Sequence, residues 1–129
     1  MGLGYTIDHE KRLVRTRGSG VLQAKDIEEF YRRLLADKAF DSTYRCLADL
    51  REVTEVAVTT DDLARSASLA VFAPGTRRAL VAIPDAVFGM LRVYASFGER
   101  AGQTMRIFRR VAIAEAWIED GDDRRWHDD

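Results

Sequence analysis

The stretch from Arg77 to Phe108 constrains the fold more than any other part of the chain. It reads as a strand over Arg78-Ala79-Leu80-Val81-Ala82-Ile83, a break at Pro84-Asp85, a helix from Ala86 to Gly98, and a strand over Met105-Arg106-Ile107-Phe108. Small and β-branched apolar residues run up to Pro84 and stop there. Asp85 then stands where a side chain can accept from the free N–H groups of a helix start. Two apolar strands joined by a helix make a βαβ unit, which implies parallel pairing and a right-handed crossover. The remaining elements must complete that sheet.

Upstream, Tyr5-Thr6-Ile7-Asp8 and Leu13-Val14-Arg15-Thr16-Arg17-Gly18 flank the polar turn His9-Glu10-Lys11-Arg12, the pattern of a hairpin. Gly18-Ser19-Gly20 is expected to end it. Ile27, Phe30, Tyr31, Leu34 and Leu35 then fall at i, i+3, i+4, i+7 and i+8, one apolar stripe of a helix. Glu28–Arg32 and Glu29–Arg33 are favourably ordered i,i+4 pairs on the solvated face, worth about 0.2–0.5 kcal/mol each. Tyr44 to Leu50 reads as a third strand, followed by a loop through Arg51-Glu52-Val53-Thr54-Glu55. Thr59 and Asp62 form a capping-box-like pair for a second helix, Asp61 to about Phe72, which Ala73-Pro74-Gly75 ends. After Arg109-Arg110, a last helix aligns Val111, Ala114, Trp117 and Ile118. The sum is an α/β fold with a mixed, mostly parallel sheet of about five strands, an N-terminal hairpin and four helices. Residues 1–119 form one domain, and residues 120–129 a polar tail whose apolar anchor is Trp126.

Apolar content of 47% and charged content of 32% are those of a soluble globular protein. A net charge of −1 supplies no field to gather nucleic acid or an acidic membrane. Seventeen arginines face only three lysines, but they are scattered among matching acids. The bias reads as base composition of the genome, not as a binding signature. Arg77-Arg78 and Arg109-Arg110 flank strand starts and lack interleaved aromatics, so a nucleic acid partner is not expected. A single cysteine, Cys46, cannot form an internal disulfide, which points to a reducing compartment. No basic-then-apolar leader opens the chain, and no run approaches the ~20 apolar residues of a membrane helix. The expected location is the cytoplasm.

Chemistry-bearing constellations are sparse. His9 and His127 lack a second ligand at metal-binding spacing, so neither a metal nor another cofactor is expected. Ser66 and Ser68 lie mid-helix, and no Gly-x-Ser-x-Gly elbow is present. Gly18-Ser19-Gly20 lacks the third glycine and the lysine of a phosphate cradle. Cys46 reads as a small buried side chain. Asp49, at the carboxyl end of the third strand, occupies an edge where α/β proteins bind ligands, but a bracing carboxylate is the simpler reading. Asp49, Arg92 and Tyr94 meeting in one cleft would argue for an enzyme. Without that, the expectation is a non-enzymatic protein.

The surplus lies in the third helix. At ~100° per residue, Val87, Phe88, Met90, Leu91, Val93, Tyr94 and Phe97 cover roughly 220° of its circumference. A helix on one side of a sheet needs an apolar stripe of only about 100° or more. Some of that surface must meet a neighbouring helix, a second subunit or an apolar ligand.

The order hairpin, helix, strand, helix, strand, helix, strand, helix resembles the STAS domain of bacterial anti-sigma-factor antagonists, and more closely its SpoIIAA-like, STAS-like or Sec14-like group. Ala79-Leu80-Val81-Ala82, Phe88-Gly89-Met90-Leu91-Arg92-Val93-Tyr94, Arg106-Ile107-Phe108 and Ala114-Glu115-Ala116-Trp117-Ile118 are similar to small bacterial members, and the likeness runs from Tyr5 to Ile118. It implies a SpoIIAA-like fold and a non-enzymatic regulatory or protein-interaction module. A regulatory protein partner would fit that role. Self-association, as a homodimer, would use Phe88, Met90, Val93 and Phe97. In the antagonists a serine opening the second helix is phosphorylated. Asp49-Leu50 matches the Asp-Leu of that pattern, and Thr60 falls near the serine, but Asp61 replaces the glycine that follows. Phosphate there would be repelled by Asp61 and Asp62. The Sec14-like comparison implies instead a carrier of a lipid or other small apolar ligand, in a pocket beside the third helix that Tyr94 and its neighbours would line.

Overall fold

A computed structural model describes residues 2–121. Five strands form one sheet in the order β1-β2-β3-β4-β5: β1 Gly2–Asp8, β2 Leu13–Gln23, β3 Arg45–Ala57, β4 Arg77–Val81 and β5 Thr104–Phe108. β1 and β2 pair antiparallel as the expected hairpin, and β2 through β5 are parallel. Four helices connect or follow them: α1 Ala24–Ala36, α2 Thr60–Ala67, α3 Asp85–Arg100 and α4 Val111–Asp120.

Alternation along the strands divides the core between two faces. Val14, Cys46, Ala48, Leu50 and Leu80 join α1, α2 and α3 on one side. Leu13, Leu47, Ala79, Val81 and Phe108 join α4 on the other. Trp117 anchors α4, its ring centroid 5.7 Å from that of Phe108. The carboxyl end of α4 is held from the sheet. Arg77 Nη1 donates to the Trp117 and Ile118 carbonyls at 2.8 and 3.1 Å, and Arg45 Nη1 to Ile118 at 2.6 Å. Cations there satisfy the last carbonyls and oppose the negative end of the helix dipole. Two of the many arginines therefore act as helix clamps.

Three elements differ from the sequence reading. β2 does not end at Gly18-Ser19-Gly20 but continues to Gln23, with register shifts between Arg17 and Ser19 and between Gly20 and Val21. Gly20 takes φ +69° at the second shift, a conformation that suits glycine. β3 continues through the expected loop, because Glu52, Val53, Glu55, Val56 and Ala57 pair with residues 19 to 23 of β2. α2 stops at Ala67, although Val71 and Phe72 still reach the core. Thr59 does cap α2, its side chain accepting from the Asp62 N–H at 3.1 Å. Asp85 makes no cap. It is the first residue of α3 and accepts from Arg109 Nη2 at 2.9 Å.

Candidate functional site

The register of the central strands places Cys46 of β3 beside Arg78 of β4. Both side chains point to the α1–α3 side, because Arg78 shares its face with Leu80. Arg78 is only 6% exposed. Tyr31 from α1 and Tyr94 from α3 reach the same spot, and both are buried. Arg78 Nη2 donates to the Tyr31 hydroxyl at 2.7 Å, and the Tyr31 and Tyr94 hydroxyls bond to each other. Arg78 Nη1 makes a long contact of 3.4 Å to Gln103 Oε1, and Gln103 Nε2 donates to the Phe72 carbonyl at 3.1 Å. The guanidinium carbon stands 4.4 Å from the Phe72 ring centroid and 5.7 Å from that of Tyr31, within cation–π range.

Two features of this cluster are unusual. Arg78 Nε is buried and has no hydrogen-bond partner. Nor does any carboxylate among the described residues pair with Arg78; its polar neighbours are Tyr31, Gln103 and Tyr94. Burial opposes the charge, the Tyr31 hydroxyl accepts from it, and a guanidinium holds its proton firmly enough to stay charged even here. Burial pushes the Tyr94 hydroxyl well above the ordinary tyrosine range, Tyr31 adds to the rise, and Arg78 opposes it. Burial likewise raises the Cys46 thiol against the pull of Arg78. The cluster is one full positive charge among neutral groups.

A cavity of about 50 Å³ adjoins it. Arg78, Tyr31, Tyr94, Cys46 and Thr16 form its polar part, and the rest is aliphatic or aromatic, including Leu63 and Leu91. Among the described residues, no acidic side chain lines it. The space holds a group of a few heavy atoms, or a small number of waters.

The candidates from the sequence separate into an inner and an outer set. Tyr94 points inward and lines the cavity, with Val87 and Leu91 buried on the same helix. Phe88, Met90, Val93 and Phe97 are half-buried and pack against the edge of the same core. Part of the surplus is covered within the chain. α2 packs on α3, and the Arg109 guanidinium lies 4.2 Å from the Phe88 ring centroid. Thr60 is exposed at the first position of α2. Asp49 lies on the α4 side of the sheet, where Arg51 Nε and Nη2 hold it at 2.8 Å each. That grip keeps its carboxyl below the usual range. Arg92 is exposed, so Asp49, Arg92 and Tyr94 do not converge. Among the described residues, no three His, Cys, Asp or Glu side chains group as metal ligands. His127 and Trp126 lie outside the described residues.

Sequence reasoning missed the role of Arg78, which read as one half of a basic pair at a strand start. Strict alternation from Leu80 and Ala82 back to Arg78 puts an arginine on the apolar face, and that was the available signal.

No protein-family model matches the chain, and no curated protein does. A solved structure does match. It is an uncharacterized protein of the DUF3478 family with a SpoIIAA-like fold, from Shewanella loihica PV-4. The two share 16% identity over 91% of this chain and 94% of that one, with a TM-score of 0.60. The fold is SpoIIAA-like. Within this fold the cavity lies between the sheet and α1, α2 and α3. No helix among the described residues is long and apolar enough to cross a membrane.

Proposed function

We propose that this chain is a non-enzymatic regulatory module whose state is set by a small ligand with an apolar body, held beside α3. The observation that carries this reading is the cavity itself, lined by Leu63, Leu91 and Tyr94 and bordered by three helices. A pocket between helices and sheet couples occupancy to helix packing, because a ligand that binds the folded state stabilises it. Native mass spectrometry of freshly purified protein tests the reading. A co-purifying small-molecule mass supports it; a clean apo mass, with no thermal shift from small alcohols or acids, counts against it.

A second reading is self-association. Phe88, Met90, Val93 and Phe97 all keep part of their apolar surface open along α3. A dilution series by analytical ultracentrifugation checks it. A monomer at every concentration, unaltered by Phe97→Asp, removes it.

A further inference from the structure

Most buried arginines are matched by a carboxylate, because an unpaired charge in a low-dielectric interior costs several kcal/mol. Arg78 has no such match among the described residues. A guanidinium carries five N–H donors. Tyr31 takes one of them at good length, the Tyr94 hydroxyl stands close by, Gln103 takes a second at 3.4 Å, and Nε has no acceptor among the described residues. The Tyr31 and Tyr94 hydroxyls bring two further donors to the same end of the cavity, but only one proton can lie between the two oxygens. The pocket has more donors than acceptors and one net positive charge. Its remaining wall is apolar.

We propose that the cavity binds a short-chain monocarboxylate, with its carboxylate on Arg78 and the phenols and its alkyl part against Leu63 and Leu91. This rests on the ligand reading above and adds the chemical class. A carboxylate is planar and singly charged, and it accepts from a guanidinium in the fork geometry that Nε and one Nη offer. A phosphate dianion would bring a second charge that no cation in the cavity lining matches. A space of about 50 Å³ suits a chain of a few carbons and not a lipid tail. The apolar wall favours an alkyl acid over a hydrated inorganic ion.

The test is a thermal-shift and calorimetric titration of the full chain in sulfate buffer. The probes are propanoate, butanoate, dodecanoate, chloride and neutral butan-1-ol. Butanoate is expected to raise the melting temperature by about 4 °C at ten times its Kd. Arg78→Met is expected to weaken butanoate about 10- to 100-fold, the loss of charged hydrogen bonds, while leaving butan-1-ol little changed. Arg78→Lys keeps the charge without the fork and should retain a weakened preference for butanoate over butan-1-ol. If Arg78→Met does not fold, that preference in the wild type and in Arg78→Lys decides. Equal binding of butan-1-ol and butanoate overturns the carboxylate assignment and leaves the ligand reading standing. No response to any probe removes both. An equal shift from chloride alone would assign an inorganic-anion site and overturn the proposal. So would affinity that keeps rising through dodecanoate, which would assign a lipid acyl chain.

Discussion

Arg78 on β4 donates to the Tyr31 hydroxyl on α1 at 2.7 Å, through a core in which its charge meets no carboxylate among the described residues. This bond ties the central sheet to the first helix across the cavity. Tyr31→Phe removes the acceptor and leaves a second guanidinium position without a partner. Removing one partner of a buried charged hydrogen bond costs more than the bond's net worth, so the expected loss is about 1–3 kcal/mol. Urea denaturation followed by circular dichroism measures it. An unchanged midpoint would mean that Arg78 finds another acceptor.

The Tyr94 hydroxyl gives an alkaline dependence. Burial first, and Tyr31 second, raise its folded pKa above that of the unfolded chain, about 10. The stabilisation linked to its proton is therefore fully present below pH ~10 and is lost as pH rises toward the folded value. Tyr94→Phe removes that titration. The urea midpoint of the wild type should fall more steeply than that of Tyr94→Phe above about pH 10, and parallel curves would contradict the assignment.

Cys46 is buried, and burial raises its thiol pKa against the opposing pull of Arg78. The thiolate is the reactive form, so both access and ionisation work against modification. A thiol-reactive chromophore at pH 8 should label the folded protein at the rate of global or local opening, and promptly in urea. Immediate stoichiometric labelling without denaturant would show that the cavity opens freely.

Gly89 sits inside α3 with open space where a Cβ would stand. Its helical backbone suits alanine, which loses less freedom on folding. Gly89→Ala should stabilise by about 0.4–1 kcal/mol in the same urea assay. A loss of stability would mean that something not seen in the monomer covers this point of α3.

The βαβ unit was legible because its apolar runs end at strong breakers. β4, α3 and β5 lie within a few residues of the positions that Pro84 and the periodicity mark. The second halves of β2 and β3 were not legible. Arg51, Glu52, Thr54 and Glu55 are polar because they face solvent, and their strand conformation comes from pairing with residues 19 to 23. That is a long-range ladder that overrides local propensity. The apolar excess of α3 was visible, but its distribution was not. Tyr94 turns inward to the cavity, while Phe88 receives Arg109 and the neighbouring faces are partly covered. Arg78 carried a weak signal of period two, hidden by its place beside Arg77, which serves α4 instead.

Nuclear magnetic resonance titration with butanoate tests the ligand account most directly. Chemical-shift changes should centre on Tyr31, Cys46, Leu63, Arg78, Leu91 and Tyr94, saturate together, and weaken sharply in Arg78→Met. Changes scattered over exposed side chains, or none at concentrations that saturate ordinary small-acid sites, would contradict it.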